Sequence, residues 1–321
     1  IYPTQNIHAD VAFGSVTNLS DDSVRSLTPQ ITAAGNNVYM VWTNQTGSDP
    51  TTDEIYFKSK IGSTLDTSAI NLSNKAGQQS APQIKALSNR VYVVWSDVTA
   101  TGGIFFTNKT QGGNFDSPIN LNVTSSTTSS TTPQITVSNG HVYVVWRDTD
   151  GKKIKFANST NDGDSFHTPV NLSVSGGSLT AKDPQIANST NGRAYVVWHE
   201  GTSILFKNST SNGNFNLGAP TPDAAATLGV ADNAGTGGTS SPQIAVSGSN
   251  VYSVWKKSSD IFFANSTNDG DSFHTAVNLS NSGTAELPQV SASGNNVHVI
   301  WHDTSGKIYF RASTNKGDNF G

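Results

Sequence analysis

The chain has 321 residues, of which 13% are charged, and its formal net charge at pH 7 is −4. This balance, with no run of basic residues, argues against nucleic-acid binding, because phosphate contacts need clustered Lys and Arg. No apolar stretch approaches the ~20 residues of a membrane helix, which argues against membrane insertion. The chain has no cysteine, which excludes disulfides and thiolate metal sites.

Six tryptophans recur at intervals of 46 to 57 residues, and each ends a short apolar run such as Val38 to Trp42. A Pro-Gln pair followed by Ile or Val lies upstream of each run. A period of this length fits four short strands with their turns, as in a β-propeller blade. The tryptophans, for which we expect equivalent buried positions, are Trp42, Trp95, Trp146, Trp198, Trp255 and Trp301.

Each repeat predicts the same four antiparallel strands. The Pro-Gln-Ile segment opens strand A, because proline is tolerated at the first residue of a strand. The Val/Tyr/Trp run is strand B, apolar throughout because a blade packs on both faces. An apolar segment with a central aromatic forms strand C, and a glycine-containing loop leads to strand D. We therefore predict an all-β, six-bladed β-propeller. The blades comprise residues 29–73, 82–122, 133–173, 184–229, 242–280 and 288–321.

The last repeat reaches Gly321 without a strand D. At the other end of the chain, residues 13–20 match residues 273–280 at Phe, Asn, Leu and Ser. We therefore expect the N-terminal strand, about residues 15–20, to complete the last blade, so that residues 14–321 form a single propeller. Pairing within one chain is the expected arrangement, and pairing with a neighbouring molecule is the alternative.

Residues 1–13 precede every predicted blade. A terminal segment is ordered only when it has a docking surface, so we expect this extension to pack on another copy of the chain in a filament or surface array. The sequence shows no initiator Met and no signal peptide, which is typical of a processed N-terminus. We accordingly expect an extracellular or cell-surface protein.

Three C–D loops share one motif, Ser-Thr-Asn-x-Gly-Asp-x-Phe, at residues 159–166, 266–273 and 313–320. The motif resembles the Asp box of bacterial neuraminidases, although asparagine stands at the third position, where that family usually has Asp. The chain thus resembles the Asp-box (BNR-repeat) sialidase-like β-propeller superfamily, in which the boxes lie away from the active site. The acidic residues of these loops are interpreted as solvated turn carboxylates rather than calcium ligands, because no bidentate Glu follows them. We predict no metal site and no cofactor.

The resemblance implies that an active sialidase would hold its substrate carboxylate with three arginines, one of them in a Phe-Arg-Ile-Pro-like motif. That motif is not found in this chain. Strand alternation places Arg25 and Arg147 on the face formed by the B–C and D–A loops, where the family's active sites lie. It places Arg90, Arg193 and Arg311 at the opposite face. We therefore expect no sialidase activity.

The polar residues that follow each Trp are candidates for a ligand site on the B–C face. Such residues could hydrogen-bond a sugar, but an Asp just past a strand also caps the next turn, and the recurrence favours this structural role. The two His–carboxylate pairs come from different blades and do not by themselves predict a metal site. The candidates are Asp97, Arg147, Asp148, His199, Glu200, His302 and Asp303.

Asn-x-Ser/Thr sequences are also frequent, as expected for a chain rich in Asn, Ser and Thr. A secreted chain would expose several of them as glycosylation sites. The candidates are Asn18, Asn44, Asn71, Asn108, Asn122, Asn158, Asn171, Asn188, Asn208, Asn265 and Asn278.

Two functions agree with these patterns. The first is a non-catalytic extracellular propeller that serves as a structural, assembly or adhesion module, with other copies of itself and glycans as partners. The alternative is a divergent sialidase-like glycosidase or a carbohydrate-binding lectin. All six tryptophans are used for blade packing, which leaves none to stack on a sugar. Clustered carboxylates and aromatic residues on the B–C face would favour the alternative.

Overall fold

The structure, a computed structural model, describes residues 15–20, 24–45, 52–75, 77–99, 102–122, 130–149, 152–173, 180–215, 225–230 and 240–321. The predicted N-terminal extension, residues 1–13, lies outside them. Within these ranges there is no α-helix, and Ser211–Gly213 form a 3₁₀ turn. In the same residues, no helix has the length and apolar character needed to cross a membrane.

The strands form six antiparallel sheets in chain order. Sheet 1 contains β1 (Arg25–Ala34), β2 (Asn37–Gln45), β3 (Asp53–Ile61), β4 (Thr64–Leu65) and β5 (Ile70–Asn71). Sheet 2 contains β6 (Gln79–Leu87), β7 (Arg90–Asp97), β8 (Gly103–Thr110) and β9 (Ile119–Asn120). Sheet 3 contains β10 (Ser130–Ser138), β11 (His141–Asp148), β12 (Lys153–Ser159) and β13 (Val170–Asn171).

The second half of the chain repeats this order. Sheet 4 contains β14 (Ala181–Asn188), β15 (Ala194–Glu200), β16 (Ser203–Asn208) and β17 (Ala226–Val230). Sheet 5 contains β18 (Gln243–Ser247), β19 (Asn250–Lys257), β20 (Asp260–Ser266) and β21 (Val277–Asn278). Sheet 6 contains β22 (Ala285–Ser293), β23 (Asn296–Asp303) and β24 (Ile308–Ser313). The prediction of an all-β fold built from repeated A–B–C–D units is confirmed, although no described residue pairs with sheet 6 as a strand D.

Strand A begins earlier than the sequence predicted. In sheet 2, Ser80 pairs with Ser96 and Gln83 pairs with Val94, so a β-bulge lies just before the Pro-Gln pair. Ala81, which precedes the proline, has a φ of +49°. The same shift of register occurs in sheets 1, 3, 4 and 6. Such a bulge adds an unpaired residue and re-aims the side chains beside it, here at the end of strand A that adjoins the B–C loops.

Five apolar clusters hold successive sheets together, and the tryptophans lie in or beside them. Trp146 of sheet 3, for example, packs with Tyr92 and Phe106 of sheet 2. The six tryptophans are between 0% and 6% exposed, which confirms the prediction that they are buried. Each sheet is therefore held mainly by the sheets next to it in chain order.

The C–D loops with the shared motif make a second link between sheets. In residues 159–166, the Gly163 amide donates to Ser159 Oγ at 2.9 Å, and the Ser165 amide donates to Asn161 Oδ1 at 3.1 Å. The loops at residues 266–273 and 313–320 repeat both bonds. The Phe166 ring packs edge-on against Phe106 of the preceding sheet, with ring centroids 4.8 Å apart.

The two ends of the series are not joined in the described residues. No apolar cluster links sheet 6 to sheet 1, and residues 15–20 form no strand. The predicted completion of the last blade by this segment is therefore not formed. Instead, Leu19 lies on sheet 1, where its carbonyl accepts a hydrogen bond of 3.3 Å from Lys58 Nζ. Because no neighbouring sheet among the described residues covers them, Ile31 of sheet 1 and Ile308 of sheet 6 are 69% and 72% exposed.

Candidate functional site

The carboxylates that follow the tryptophans of sheets 2 and 3 are both held by lysine. Asp97 is fully buried, accepts from Lys75 Nζ at 2.8 Å, and also accepts from the amide and hydroxyl of Thr99. Burial is the largest single influence and raises the pKa of Asp97, but hydrogen bonds led by that of Lys75 bring the pKa below its ordinary value. Asp148 lies 3.0 Å from Lys155 Nζ. Both carboxylates therefore stabilise the sheet ends rather than facing solvent.

The equivalent carboxylates of sheets 4 and 6 are also engaged locally. Glu200 accepts a hydrogen bond of 2.7 Å from Trp198 Nε1. Asp303 accepts from the Ser305 hydroxyl at 2.6 Å and from the Lys307 amide at 2.9 Å, which closes the B–C turn. These two bonds are the main reason that the pKa of Asp303 is lowered to about 2. The turn-capping interpretation agrees with this geometry.

Asp303 gives a pH-dependent contribution to stability. Its pKa rises from about 2 when folded to about 3.9 when unfolded, so its contribution is complete above the unfolded value and is lost as the pH falls through the folded value. We expect the Asp303→Asn protein to lose less stability than the wild type between pH 5 and pH 2, measured by urea unfolding at each pH. Asp318→Asn, at an exposed position, is the control. Parallel pH profiles for the wild type and Asp303→Asn would contradict this assignment.

A second set of side chains lies at the same edge, nearer to the bulges. In each pair, one residue directly follows the Trp of strand B. The other is its partner on strand A, two residues before the proline. We call these the edge pairs. Because paired residues of antiparallel strands point to the same face, each pair acts as one position. The edge pairs are Leu27–Thr43, Ser80–Ser96, Thr131–Arg147, Lys182–His199 and Glu286–His302. Sheets 1 and 2 contribute no charged side chain to this set, whereas sheets 3, 4 and 6 do, and sheet 5 contributes Lys256.

An ion pair at this edge joins sheets 5 and 6. Lys256 Nζ lies 2.7 and 2.8 Å from the two carboxylate oxygens of Glu286. The lysine side chain is 15% exposed and the glutamate 25% exposed, so the pair is largely shielded but still open to solvent. His302 is the strand partner of Glu286, and its Nδ1 lies 3.0 Å from the Asp303 carbonyl, which requires the proton on Nδ1. A carboxylate, an ammonium group and an imidazole therefore meet at one place.

Buried polar atoms without a hydrogen-bond partner in the described residues occur in both neighbouring sheets. Two of them lie near the bulges, Nε of Arg147 in sheet 3 and Oδ2 of Asp183 in sheet 4. Asp183 is the bulge residue of its sheet, with a φ of +54°, where the other sheets carry Thr, Ala, Ser or Leu. Buried polar groups in proteins are normally hydrogen-bonded, so each of these atoms points to a bound water or ligand.

Asp53 is a further carboxylate on this edge, at the start of β3. It is 4% exposed, and its burial raises its pKa, partly offset by a hydrogen bond from Gln45. It belongs to sheet 1, which shares no apolar cluster with sheet 6 in the described residues. The structure therefore does not bring it together with Glu286.

Of the predicted candidates, Arg147, His199 and His302 lie in the edge pairs, and His199 is fully buried. The four carboxylates lie one residue further on and point to the other face of each sheet. Sequence reasoning missed Lys182, Asp183 and Glu286. All three lie one or two residues before a Pro-Gln pair, and this spacing could have identified them from the sequence. The bulge that places them at the edge was not expected. In the part of the chain that is described, no three His, Cys, Asp or Glu side chains are grouped to hold a metal ion.

Several predicted glycosylation sites are buried. Asn158, Asn208 and Asn265 each donate through Nδ2 to a backbone carbonyl of the following sheet's C–D loop, at 2.9 to 3.0 Å. These amides therefore join sheets. The candidates that are at most 6% exposed are Asn44, Asn108, Asn122, Asn158 and Asn265. By contrast, Asn18 and Asn171 are exposed.

No protein-family model matches the chain, and no curated protein matches it in sequence. Solved structures match in fold at low identity. An α-L-arabinanase of Penicillium chrysogenum, complexed with arabinobiose, has a TM-score of 0.51 at 12% identity, over 92% of this chain and 94% of its own. The GH93 α-L-arabinofuranosidase of Fusarium graminearum, also with arabinobiose, has a TM-score of 0.54 at 13% identity, over 90% and 92%. The BP39L lectin of Burkholderia pseudomallei has a TM-score of 0.63 at 12% identity, over 89% and 79%.

This comparison supports a β-propeller fold and corrects one expectation. The sequence led us to expect a non-catalytic structural or adhesion module and no enzyme. That expectation is overturned, because the chain shares its fold with an arabinanase and an arabinofuranosidase. The expectation relied on the missing sialidase arginines. These residues bind the carboxylate of sialic acid, so their absence says nothing about sugars without a carboxylate.

Proposed function

We propose that the protein is a carbohydrate-active β-propeller, its six sheets being the blades, that binds a glycan and cleaves a glycosidic bond at the B–C edge of sheets 4 to 6. The observation that carries this proposal is the shielded Lys256–Glu286 pair beside His302. The edge pairs of sheets 1 and 2, by contrast, have only uncharged side chains. The fold that the chain shares with arabinanases and a lectin supports it.

Glycoside hydrolysis generally needs two carboxyl groups, one as general acid and the other as base or nucleophile. The Lys256 ammonium group lies against both oxygens of Glu286 and fixes the position of this carboxyl group, which suits the base or nucleophile. Asp183 is the second candidate, because it is the bulge residue at the same edge and its Oδ2 has no hydrogen-bond partner in the described residues. The His302 imidazole would hydrogen-bond a sugar hydroxyl beside Glu286.

A neutral sugar is the substrate class that this site fits best. The arginine triad that binds a sialic-acid carboxylate is not found in the chain, and the one glutamate of the site is already paired with Lys256. The arabinanase and arabinofuranosidase with this fold were both solved with arabinobiose. Arabinobiose and arabinan are therefore the first substrates to test.

We expect the wild-type protein to release arabinose or short oligosaccharides from these substrates, measured by chromatography of the products. Glu286→Gln should lower kcat/KM by about 10²–10⁴-fold, since it removes an ionisable group from the reaction. Asp183→Asn should lower kcat more than it raises KM. Asp318→Asn, on an exposed C–D loop, should leave both constants unchanged.

Calorimetric titration with arabinobiose separates the remaining outcomes. Binding without turnover, weakened by Glu286→Gln, would assign the same site to a lectin rather than a hydrolase. Neither binding nor turnover with a panel of neutral pentose and hexose oligosaccharides would contradict the proposed function.

We further propose that the three shared C–D loops are Asp boxes and that the protein acts outside the cell. The identical hydrogen bonds in the three loops support the first point. The exposed sequons at Asn18 and Asn171 support the second. Intact-mass measurement of the protein from its natural source tests the second point, since an unmodified mass would remove this support.

A further inference from the structure

We propose that the open edge of sheet 6 binds residues 16–20 of a second copy of the chain, which add to β24 as the missing fourth strand. The proposal is independent of the carbohydrate activity. It rests on the backbone hydrogen bonds of the other sheets, on the exposed apolar side chains of sheet 6, and on the conformation of residues 15–20.

In sheets 1, 3 and 5, the residues at the end of the fourth strand make the same pair of hydrogen bonds to strand C. In sheet 5, the Leu279 amide donates to the Ile261 carbonyl at 2.7 Å, and the Ile261 amide donates to Ser280 Oγ at 2.9 Å. Sheets 1 and 3 repeat both bonds. The equivalent residue of sheet 6 is Ile308, which pairs with His302 as Ile261 pairs with Lys256. The amide and carbonyl of Ile308 therefore point to the open edge, where they can donate to and accept from the same kind of fourth strand.

The side chains of this edge are apolar and uncovered. Ile308 is 72% exposed and Phe310 is 61% exposed, whereas the equivalent Ile261 and Phe263 of sheet 5 are 0% and 1% exposed. In sheet 5, the Phe263 ring packs edge-on against Phe320 of the next sheet, with centroids 4.8 Å apart. Sheet 6 thus presents the surface that a following sheet and strand would cover.

The end of residues 15–20 has the same local hydrogen bond as the end of the fourth strand of sheet 5. The Ser20 amide donates to Asn18 Oδ1 at 3.2 Å, and the Ser280 amide of sheet 5 donates to Asn278 Oδ1 at 3.1 Å. Val16 is fully exposed. The bond from Lys58 to the Leu19 carbonyl holds the segment on sheet 1, on the side that faces away from sheet 2. The segment is therefore presented to a partner rather than packed away.

A second copy is the occupant that lets the segment stay on its own sheet 1. Within one chain the segment lies on sheet 1, and no apolar cluster joins sheet 1 to sheet 6 in the described residues. A head-to-tail copy brings its segment and the exposed Ile31 of its sheet 1 onto Ile308 and Phe310 together. Such a contact uses two different surfaces of the chain and can repeat, so it yields open chains or rings of copies.

The pairing of β20 with β21 defines the register of the proposed contact. Phe263 pairs with Val277 in sheet 5, so Phe310 should pair with Thr17 of the second copy. The chain has no cysteine, so this register can be tested with engineered pairs. We expect a mixture of the Thr17→Cys and Phe310→Cys proteins to form a disulfide-linked dimer under mild oxidation, while Thr17→Cys mixed with Ser63→Cys, on an exposed loop, does not.

Leu19→Asp removes the apolar residue of the donor strand. Added to the Thr17→Cys protein, it should abolish the cross-linked dimer. As a single substitution, it should give a monomer in light scattering, where the wild-type protein is associated. Circular dichroism of the same variant checks that the propeller remains folded. Two results would overturn the proposal. One is an intrachain disulfide in the Thr17→Cys/Phe310→Cys double variant with no cross-link in the mixture, which would assign the edge to the chain's own segment. The other is a wild-type protein that stays monomeric at high concentration.

Discussion

Replacing Trp146 with alanine is expected to lower the free energy of unfolding by about 3–5 kcal/mol, the range for large aromatic truncations in cores. Trp146 is fully buried between sheets 2 and 3 and packs with Tyr92 and Phe106. The cavity cannot collapse easily, because strands on both sides are fixed by backbone pairing. Guanidinium unfolding followed by tryptophan fluorescence and by circular dichroism measures the loss.

Trp42→Ala is the matched control for this prediction. Trp42 occupies the equivalent position in sheet 1, but no preceding sheet covers it, and it lines a groove of about 480 Å³ beside residues 17–20. Its truncation should therefore cost less than that of Trp146. Equal losses for the two variants would show that a further surface covers sheet 1 in solution, as the proposed contact between copies requires, and a comparison at low and high protein concentration would identify it.

Gly163→Ala is expected to lower the free energy of unfolding by about 2–5 kcal/mol. Gly163 has a φ of +89°, and an added Cβ would lie 2.6 Å from Cζ of Phe106. The left-handed backbone costs an L-residue about 1–2 kcal/mol, and overpacking against a buried ring adds about 1–3 kcal/mol. Gly294→Ala is the control, since its φ is +58° and nothing lies within 4 Å of the added Cβ. Equal losses in the two variants would show that the contact with Phe106 is unimportant.

The repeat and its buried tryptophans were predictable because they follow from local pattern: alternating strands, a fixed period and one large aromatic residue per unit. The early start of strand A was not, because the left-handed residue before each proline is unusual for that position. This bulge decides the candidate site. It brings Glu286 opposite His302 and places Asp183 at the same edge, whereas sequence reasoning followed the tryptophans and singled out Asp97 and Asp303, which cap turns.

The open ends of the series were not predictable for a different reason. Residues 15–20 carry the sequence of a fourth strand, but sequence similarity to Val277–Ser280 does not determine which sheet edge the segment meets. That outcome depends on the curvature summed over all the sheets, to which every interface contributes a little. Similarly, the frequency of Asn-x-Ser/Thr did not reveal that Asn158 and Asn265 are inter-sheet hydrogen-bond donors.

The nearest-neighbour packing of the sheets has a consequence for how the molecule opens. Residues of β15 in sheet 4 are buried throughout, whereas those of β23 in sheet 6 alternate between buried and exposed. When each unit is stabilised by the units on either side, stability is approximately a sum of unit and interface terms, as in a linear array. Among the described residues, the outer units, sheets 1 and 6, have one such interface instead of two. Thermal opening therefore begins at sheets 1 and 6 and proceeds inward, so that the middle of the array keeps its structure after its ends have frayed.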